Sequence, residues 1–154
     1  MLKRFDHVTF VVSDAAAAKE FFAVLGFEET HSEVISGPVM EAYMHVPGIE
    51  AEHVTLELAG ASSHTEIQLL KYRHPEAVTD PRIRDPKKLG FNHLCFAVDD
   101  IEAEIARLKA GGIMPLTRVM EFLDRKLVFF PGPEGITLEL SEWHPKRAAL
   151  APAG

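Results

Sequence analysis

Apolar and polar residues alternate along FDHVTFVVSD, residues 5–14. Successive side chains of a strand point to opposite faces, so Val8, Phe10 and Val12 form one apolar stripe while His7, Thr9 and Val11 face the other way. The alternation predicts a strand whose opening histidine looks away from the core. FNHLCFAVDD, residues 91–100, repeats the pattern, with Leu94, Phe96 and Val98 in the stripe and His93, Cys95 and Ala97 opposite it. Residues 5–27 align with residues 91–113 without a gap, and Phe5/Phe91, His7/His93, Phe10/Phe96, Val12/Val98, Asp14/Asp100, Ala17/Ala103 and Gly26/Gly112 are identical pairs. Self-similarity at a fixed distance reads as a duplication. In each copy an acidic or hydroxyl cap (Ser13 and Asp14, Asp99 and Asp100) precedes a helix-favouring run that ends at glycine. The alanine run 15–18 is part of the first helix and carries no chemistry.

The rest of each copy reads as strands. FEETHSEV (27–34), EHVTLELA (52–59) and TEIQLLKY (65–72) match, in order, LTRVMEF (116–122), RKLVFF (125–130) and GITLELSE (135–142). GPVMEAYMHVPG (37–48) has no counterpart in the second copy, and Val39, Met40, Tyr43 and Met44 fall on one face at helical spacing, which predicts a short helix at about 37–46. The chain is therefore expected to be an α+β protein of two tandem βαβββ modules, residues 4–72 and 91–143. A proline-bearing linker at 73–90 joins them, and an Ala/Pro-rich flexible tail covers 144–154.

Composition narrows the class. A chain of 154 residues with 47% hydrophobic and 25% charged content is long enough for one domain, or for two half-size modules sharing one. No apolar run is long enough to span a bilayer, and MLKRFDHV lacks the apolar stretch of a signal peptide, so a cytoplasmic protein is expected. The single cysteine, Cys95, excludes an intrachain disulfide and fits a reducing compartment. A formal charge of −7 argues against nucleic acid, whose phosphates are met by Lys and Arg. The expected partner is a small molecule.

Candidate chemistry lies on the faces opposite the apolar stripes. In the last strand of each module Ile67 and Leu69 flank Gln68, and Leu138 and Leu140 flank Glu139, so Gln68 and Glu139 occupy equivalent places. Each module then offers a histidine from its first strand and an amide or carboxylate from its last. If those strands are neighbours in a curved sheet, His7, Gln68, His93 and Glu139 converge. Two imidazoles, a carboxylate and an amide oxygen suit one divalent transition ion, Zn, Ni, Co, Mn or Fe, with positions left for water or substrate. One polar residue at a strand end reads as a solvated edge; four at duplicated positions read as ligands.

The paired D/N-H-(V/L)-x-F-x-V-x-D openings and the terminal I-Q-L and L-E-L strands resemble the vicinal oxygen chelate superfamily over residues 4–143. That superfamily includes glyoxalase I, methylmalonyl-CoA epimerase, extradiol dioxygenases and the fosfomycin- and bleomycin-resistance proteins. The resemblance implies an eight-stranded, incompletely closed sheet around a metal cleft, and a homodimer. It carries the ligand roles onto His7, Gln68, His93 and Glu139, a His/Gln/His/Glu order similar to that of methylmalonyl-CoA epimerase. The epimerase's P-E-Q-G segment and H-H doublet have no counterpart here, since Asn92 precedes His93.

By that resemblance the expected reaction is metal-assisted proton transfer α to a carbonyl, of the glyoxalase or epimerase type, on a small carbonyl compound, thioester or hemithioacetal. Glu139 is the candidate base. Glu41, Tyr43 and His45 are candidates for a substrate pocket and a partner base, or else the polar face of a surface helix. Cys95, on the face of His93, is a further pocket candidate or a small buried hydrophobe. One rival is an iron(II) dioxygenase using His7, His93 and Glu139, with His45, His53 or His64 as helpers. Another is a drug-binding protein without catalysis, in which Tyr72 and Trp143 stack on ligand. Lys71, Arg73, Arg82, Arg84, Lys87 and Lys88 form a basic stretch that reads as a solvated loop or as a holder of anionic groups.

Overall fold

The computed structural model describes residues 1–144, so the tail expected over 144–154 lies outside the described residues from residue 145 onward. Two compact units are present, one spanning Met1–Thr79 and the other beginning at Asp80. Each is a four-stranded mixed sheet with a helix on one face, the α+β architecture of tandem βαβββ modules.

In the first unit β1 (His7–Val11) leads into α1 (Ala15–Val24), followed by β2 (Phe27–Ser36), α2 (Pro38–Met44), β3 (Glu50–Leu58) and β4 (Glu66–His74). The strand order is β1-β4-β3-β2, with β1 parallel to β4 and the remaining pairs antiparallel. Asp14 caps α1, its side chain accepting from the Ala17 N–H at 3.1 Å, and Gly26 turns the chain at φ +93°, a conformation in which a side chain is strained. α1 buries Ala15, Ala18 and Phe22 against the apolar stripe of the sheet, where Phe10, Val54, Leu56, Ile67 and Leu69 are sealed. Phe22 is fully buried, stacked on Phe10 at 6.0 Å and edge-on to Phe27 at 5.9 Å.

The opposite face of this sheet is not uniformly open. Ile49, Ala51 and Leu70 form a second small core, covered by Met40, Met44 and Val46 and flanked by Ile35 and Tyr72. The α2 segment therefore roofs one end of the face that carries His7 at its other end. Its apolar face is narrower than the spacing predicts, because Val39 and Tyr43 are 80% and 76% exposed. The helix has only seven residues and His45 ends it in the left-handed conformation, so only the i, i+4 pair Met40 and Met44 reaches the sheet.

The second unit repeats the plan with β5 (His93–Val98), α3 (Ile101–Ala110), β6 (Met120–Phe122), β7 (Arg125–Pro131) and β8 (Thr137–Trp143), ordered β5-β8-β7-β6. β5 runs parallel to β8, and Asp100 caps α3 by accepting from the Ala103 N–H at 3.0 Å. Ile101, Ile105 and Leu108 of α3 are buried, as are Val128, Phe130, Leu138 and Leu140 of the sheet. Gly112, the equivalent of Gly26, also has a positive φ, +83°. Glu142 ties sheet to helix, accepting from the Ile101 N–H at 2.8 Å and pairing with Lys126 at 3.0 Å.

Two expected boundaries move. The strand predicted at 116–122 is regular only over Met120–Phe122: the Leu116 N–H still bonds the Phe129 carbonyl at 2.7 Å, but the Phe129 N–H turns to the Thr117 hydroxyl at 3.1 Å, and the ladder stops there. β4 continues to His74, into the expected linker, because Glu50 of β3 still pairs with it.

Candidate metal centre

The parallel pairing of β1 with β4 decides what stands beside His7. Cross-strand partners are His7 with Glu66 and Thr9 with Gln68, all on the face away from α1. His7 Nδ1 lies 3.1 Å from the Asp6 carboxylate, and that hydrogen bond is the largest cause holding Asp6 below the usual carboxylate range. With its one N–H donated to Asp6, a neutral His7 presents the Nε2 lone pair. Gln68 is held at both ends of its amide: the Thr9 hydroxyl donates to Oε1 at 3.2 Å and Nε2 donates to Glu66 at 2.7 Å.

Glu66 is the residue that the sequence reading missed. It carries a half-sequestered carboxylate, 13% exposed, and its second oxygen lies 3.0 Å from His64 Nε2. Glu57 is its partner across β3, and one ligand-type atom from each of Glu57, His64 and Glu66 lies within 4.8 Å of the others. The same period of two that selects Gln68 also selects Glu66, two residues earlier on the same face.

In the second unit the pairing places Cys95 beside Glu139. Asn92 Nδ2 donates to the Pro86 carbonyl at 2.8 Å, which turns Asn92 Oδ1 toward His93 Nδ1 at 2.7 Å. His93 Nε2 then faces Glu139 Oε2 at 3.3 Å, with the Phe129 ring edge-on to the imidazole at 5.3 Å. Glu139 is one of two buried polar residues in the described core, at 8% exposure. When Nδ1 bears the proton, an imidazole lone pair and a carboxylate oxygen confront each other, and two acceptors so placed repel unless a proton or a cation lies between them. The donor set thus fits a divalent ion. Partial burial, and after it the Glu139 carboxylate, push the Cys95 thiol up to about 12.

The histidine-preceding residues Asp6 and Asn92 do equivalent work, each taking the Nδ1 hydrogen and leaving Nε2 for a ligand. Their signal was in the duplicated D/N-H dipeptide. Of the other expected pocket residues, Glu41 and His45 line a shallow surface cleft with Pro38, Ala42 and Pro47, and Tyr43 is exposed. All three lie outside the Met40/Met44 stripe that contacts the sheet. His53 shares the sheet face of Gln68, and its Nδ1 is buried without a hydrogen-bond partner. Tyr72 flanks the α2 core, whereas Trp143 receives the Arg125 guanidinium on its ring at 4.3 Å.

Residues 4–140 match the family model described as the Glyoxalase/Bleomycin resistance protein/Dioxygenase superfamily. Among curated proteins, the chain is 27% identical over 143 residues to the uncharacterized protein YaeR of Escherichia coli (strain K12), covering 92% of this chain and 97% of that one. Among solved structures, a glyoxalase family protein from Bacillus cereus is similar with a TM-score of 0.82 at 24% identity, covering 94% and 96% of the two chains. A glyoxalase family protein from Enterococcus faecalis is 30% identical with a TM-score of 0.66, covering 91% and 98%. The fosfomycin resistance protein FosX from Listeria monocytogenes, solved as a point mutant with Mn(II) and 1S,2S-dihydroxypropylphosphonic acid, shares the fold at 15% identity and a TM-score of 0.59, covering 91% and 90%.

Proposed function

The chain belongs to the Glyoxalase/Bleomycin resistance protein/Dioxygenase superfamily, and on that premise we propose that it is a divalent-metal-dependent enzyme of the glyoxalase or epimerase type, moving a proton α to a carbonyl. Its substrate is a small carbonyl compound, thioester or hemithioacetal, and its working form is a homodimer. The ligand set is His7 and Gln68 from a first module with His93 and Glu139 from a second. A transition ion held by these residues would supply Lewis-acid stabilisation of negative charge on the substrate oxygen. Asp6 and Asn92 hold the imidazoles by Nδ1, so that neither ring rotates or changes tautomer during turnover. Glu139 accepts the α proton and returns it. Thr9 and Glu66 hold the Gln68 amide by its oxygen and its nitrogen.

One observation carries this reading: His93 Nε2 lies 3.3 Å from Glu139 Oε2 while Asn92 occupies Nδ1. The solved FosX complex with Mn(II) supports a divalent ion on this fold. The test is the metal content of protein purified without chelators or an affinity metal, beside His93→Ala, followed by α-proton exchange in deuterated water with thioesters and glutathione hemithioacetals. Near-stoichiometric metal in the native chain, lost in the variant, with exchange at the α carbon, is expected. Iron with oxygen uptake on catechols would replace the isomerase reading by ring cleavage, and no metal after reconstitution would replace it by ligand binding alone.

A further inference from the structure

The second unit carries more than a pair of ligands on its open face. The β8-β7-β6 pairing lays out the face row by row: Glu139 beside Phe129, then Ser141 beside Leu127, then Trp143 beside Arg125 beside Phe122. Ala97 of β5 adjoins Ser141 in the middle row. One end of the face thus holds the His93/Glu139 pair, the middle is a floor of small and apolar groups, and the far end holds the Arg125 guanidinium on the Trp143 ring, with Phe122 next in register.

Arg125 is unusual in how it is held. Its stem is half-buried and its guanidinium carbon lies 4.3 Å from the Trp143 ring centroid, a cation–π contact that fixes the plane of the group without using its N–H donors. Its Nε is buried and has no hydrogen-bond partner. Two neighbouring carboxylates are engaged elsewhere, Glu142 with Lys126 and the Ile101 N–H, and Glu121 with His144. Among the described residues no ion pair involves Arg125. A buried donor without an acceptor costs stability, so an oriented, unpaired guanidinium on the face of a reactive carboxylate has the form of a group waiting for an anion.

We propose that Arg125, seated on Trp143, is the specificity-determining residue that takes a carboxylate at the end of the substrate remote from the reacting carbonyl. This rests on the proposed proton-transfer reading of Glu139. Trp143 is four residues beyond Glu139 on β8, so the two ends of the face are roughly 13 Å apart at the usual strand rise. The substrate class is an elongated carbonyl compound with an apolar middle and a terminal carboxylate, which the planar fork of one arginine matches better than the higher charge of a phosphate.

Trp143 is the only tryptophan, so its emission reports occupancy of this end of the face without any reaction. The metal-loaded protein is titrated with suberate, with octanoate, which lacks the second carboxylate, and with octyl phosphate. Saturable quenching is expected, with suberate binding at least about tenfold more tightly than octanoate, the worth of one charge-assisted hydrogen-bonded pair. Arg125→Met, which keeps the stem against the ring, is expected to erase that preference, while Arg125→Lys retains part of it. If Arg125→Met does not fold, as judged by circular dichroism, the Lys variant carries the test through its loss of several-fold suberate preference. Equal affinities for suberate and octanoate, unchanged preference in the Arg125 variants, or tighter Arg125-dependent binding of octyl phosphate overturns the proposal. Carboxylate-dependent quenching without any α-proton exchange leaves the anion subsite standing and removes the catalytic reading; exchange without carboxylate preference does the reverse.

Discussion

Asn92 hands its amide oxygen to His93 Nδ1 at 2.7 Å while its nitrogen is fixed on the Pro86 carbonyl. The imidazole is therefore oriented from a loop outside the sheet. Asn92→Leu is expected to lower divalent-metal affinity by about 10–100-fold, the usual cost of losing the partner of a ligating histidine. Asn92→Asp keeps an acceptor for Nδ1, as Asp6 does in the first unit, but loses the donor to the Pro86 carbonyl, and is expected to lower affinity less than Asn92→Leu does. Competition with a chromophoric chelator measures both.

Glu139 and Gln68 are equivalent, so an amide oxygen at residue 139 should serve as Gln68 does. Glu139→Gln is expected to retain bound metal and to lose α-proton exchange by about 10²–10⁴-fold, because only basicity has been removed. Metal analysis beside exchange in deuterated water separates the two roles. Full exchange in the variant assigns the base elsewhere.

Glu142 is held below the ordinary glutamate value of 4.5, first by the Ile101 N–H at the start of α3 and then by Lys126. A carboxylate depressed in the folded state contributes stability above its unfolded pKa and loses it as pH falls through the folded one. The Tm difference between the native chain and Glu142→Gln is expected to be largest near neutral pH and to shrink below about pH 4.5. A difference that stays constant from neutral pH to pH 3 sinks this account.

Phe22 meets Phe10 and Phe27 in a site closed to solvent. Phe22→Ala is expected to cost about 3–5 kcal/mol, from lost burial and the cavity left behind. Denaturant unfolding of the first unit's signal should show it as a lower midpoint at unchanged slope.

The two N-cap aspartates show how much local sequence can carry. Asp14 and Asp100 were legible as caps, and each accepts from the N–H three residues on. The insertion was legible as a helix, but not the side on which it would lie. Val39 and Tyr43 fit the same helical stripe as Met40 and Met44, yet only the latter pair meets Leu70, because the direction of a seven-residue helix is set by the sheet beneath it.

For the candidate ligands the division is sharper. A period of two along one strand settles which face a residue takes, and the duplication settles that His7 and His93, and Gln68 and Glu139, are equivalent; both are local properties of the chain. Which residues stand side by side is not local. Only the parallel register of β1 on β4 sets Glu66 beside His7, and only the β8-β7 register brings Arg125 onto Trp143. Those neighbours come from hydrogen-bond registers closed between distant segments, so the sequence alone determined the faces, and the tertiary structure decided what shares them.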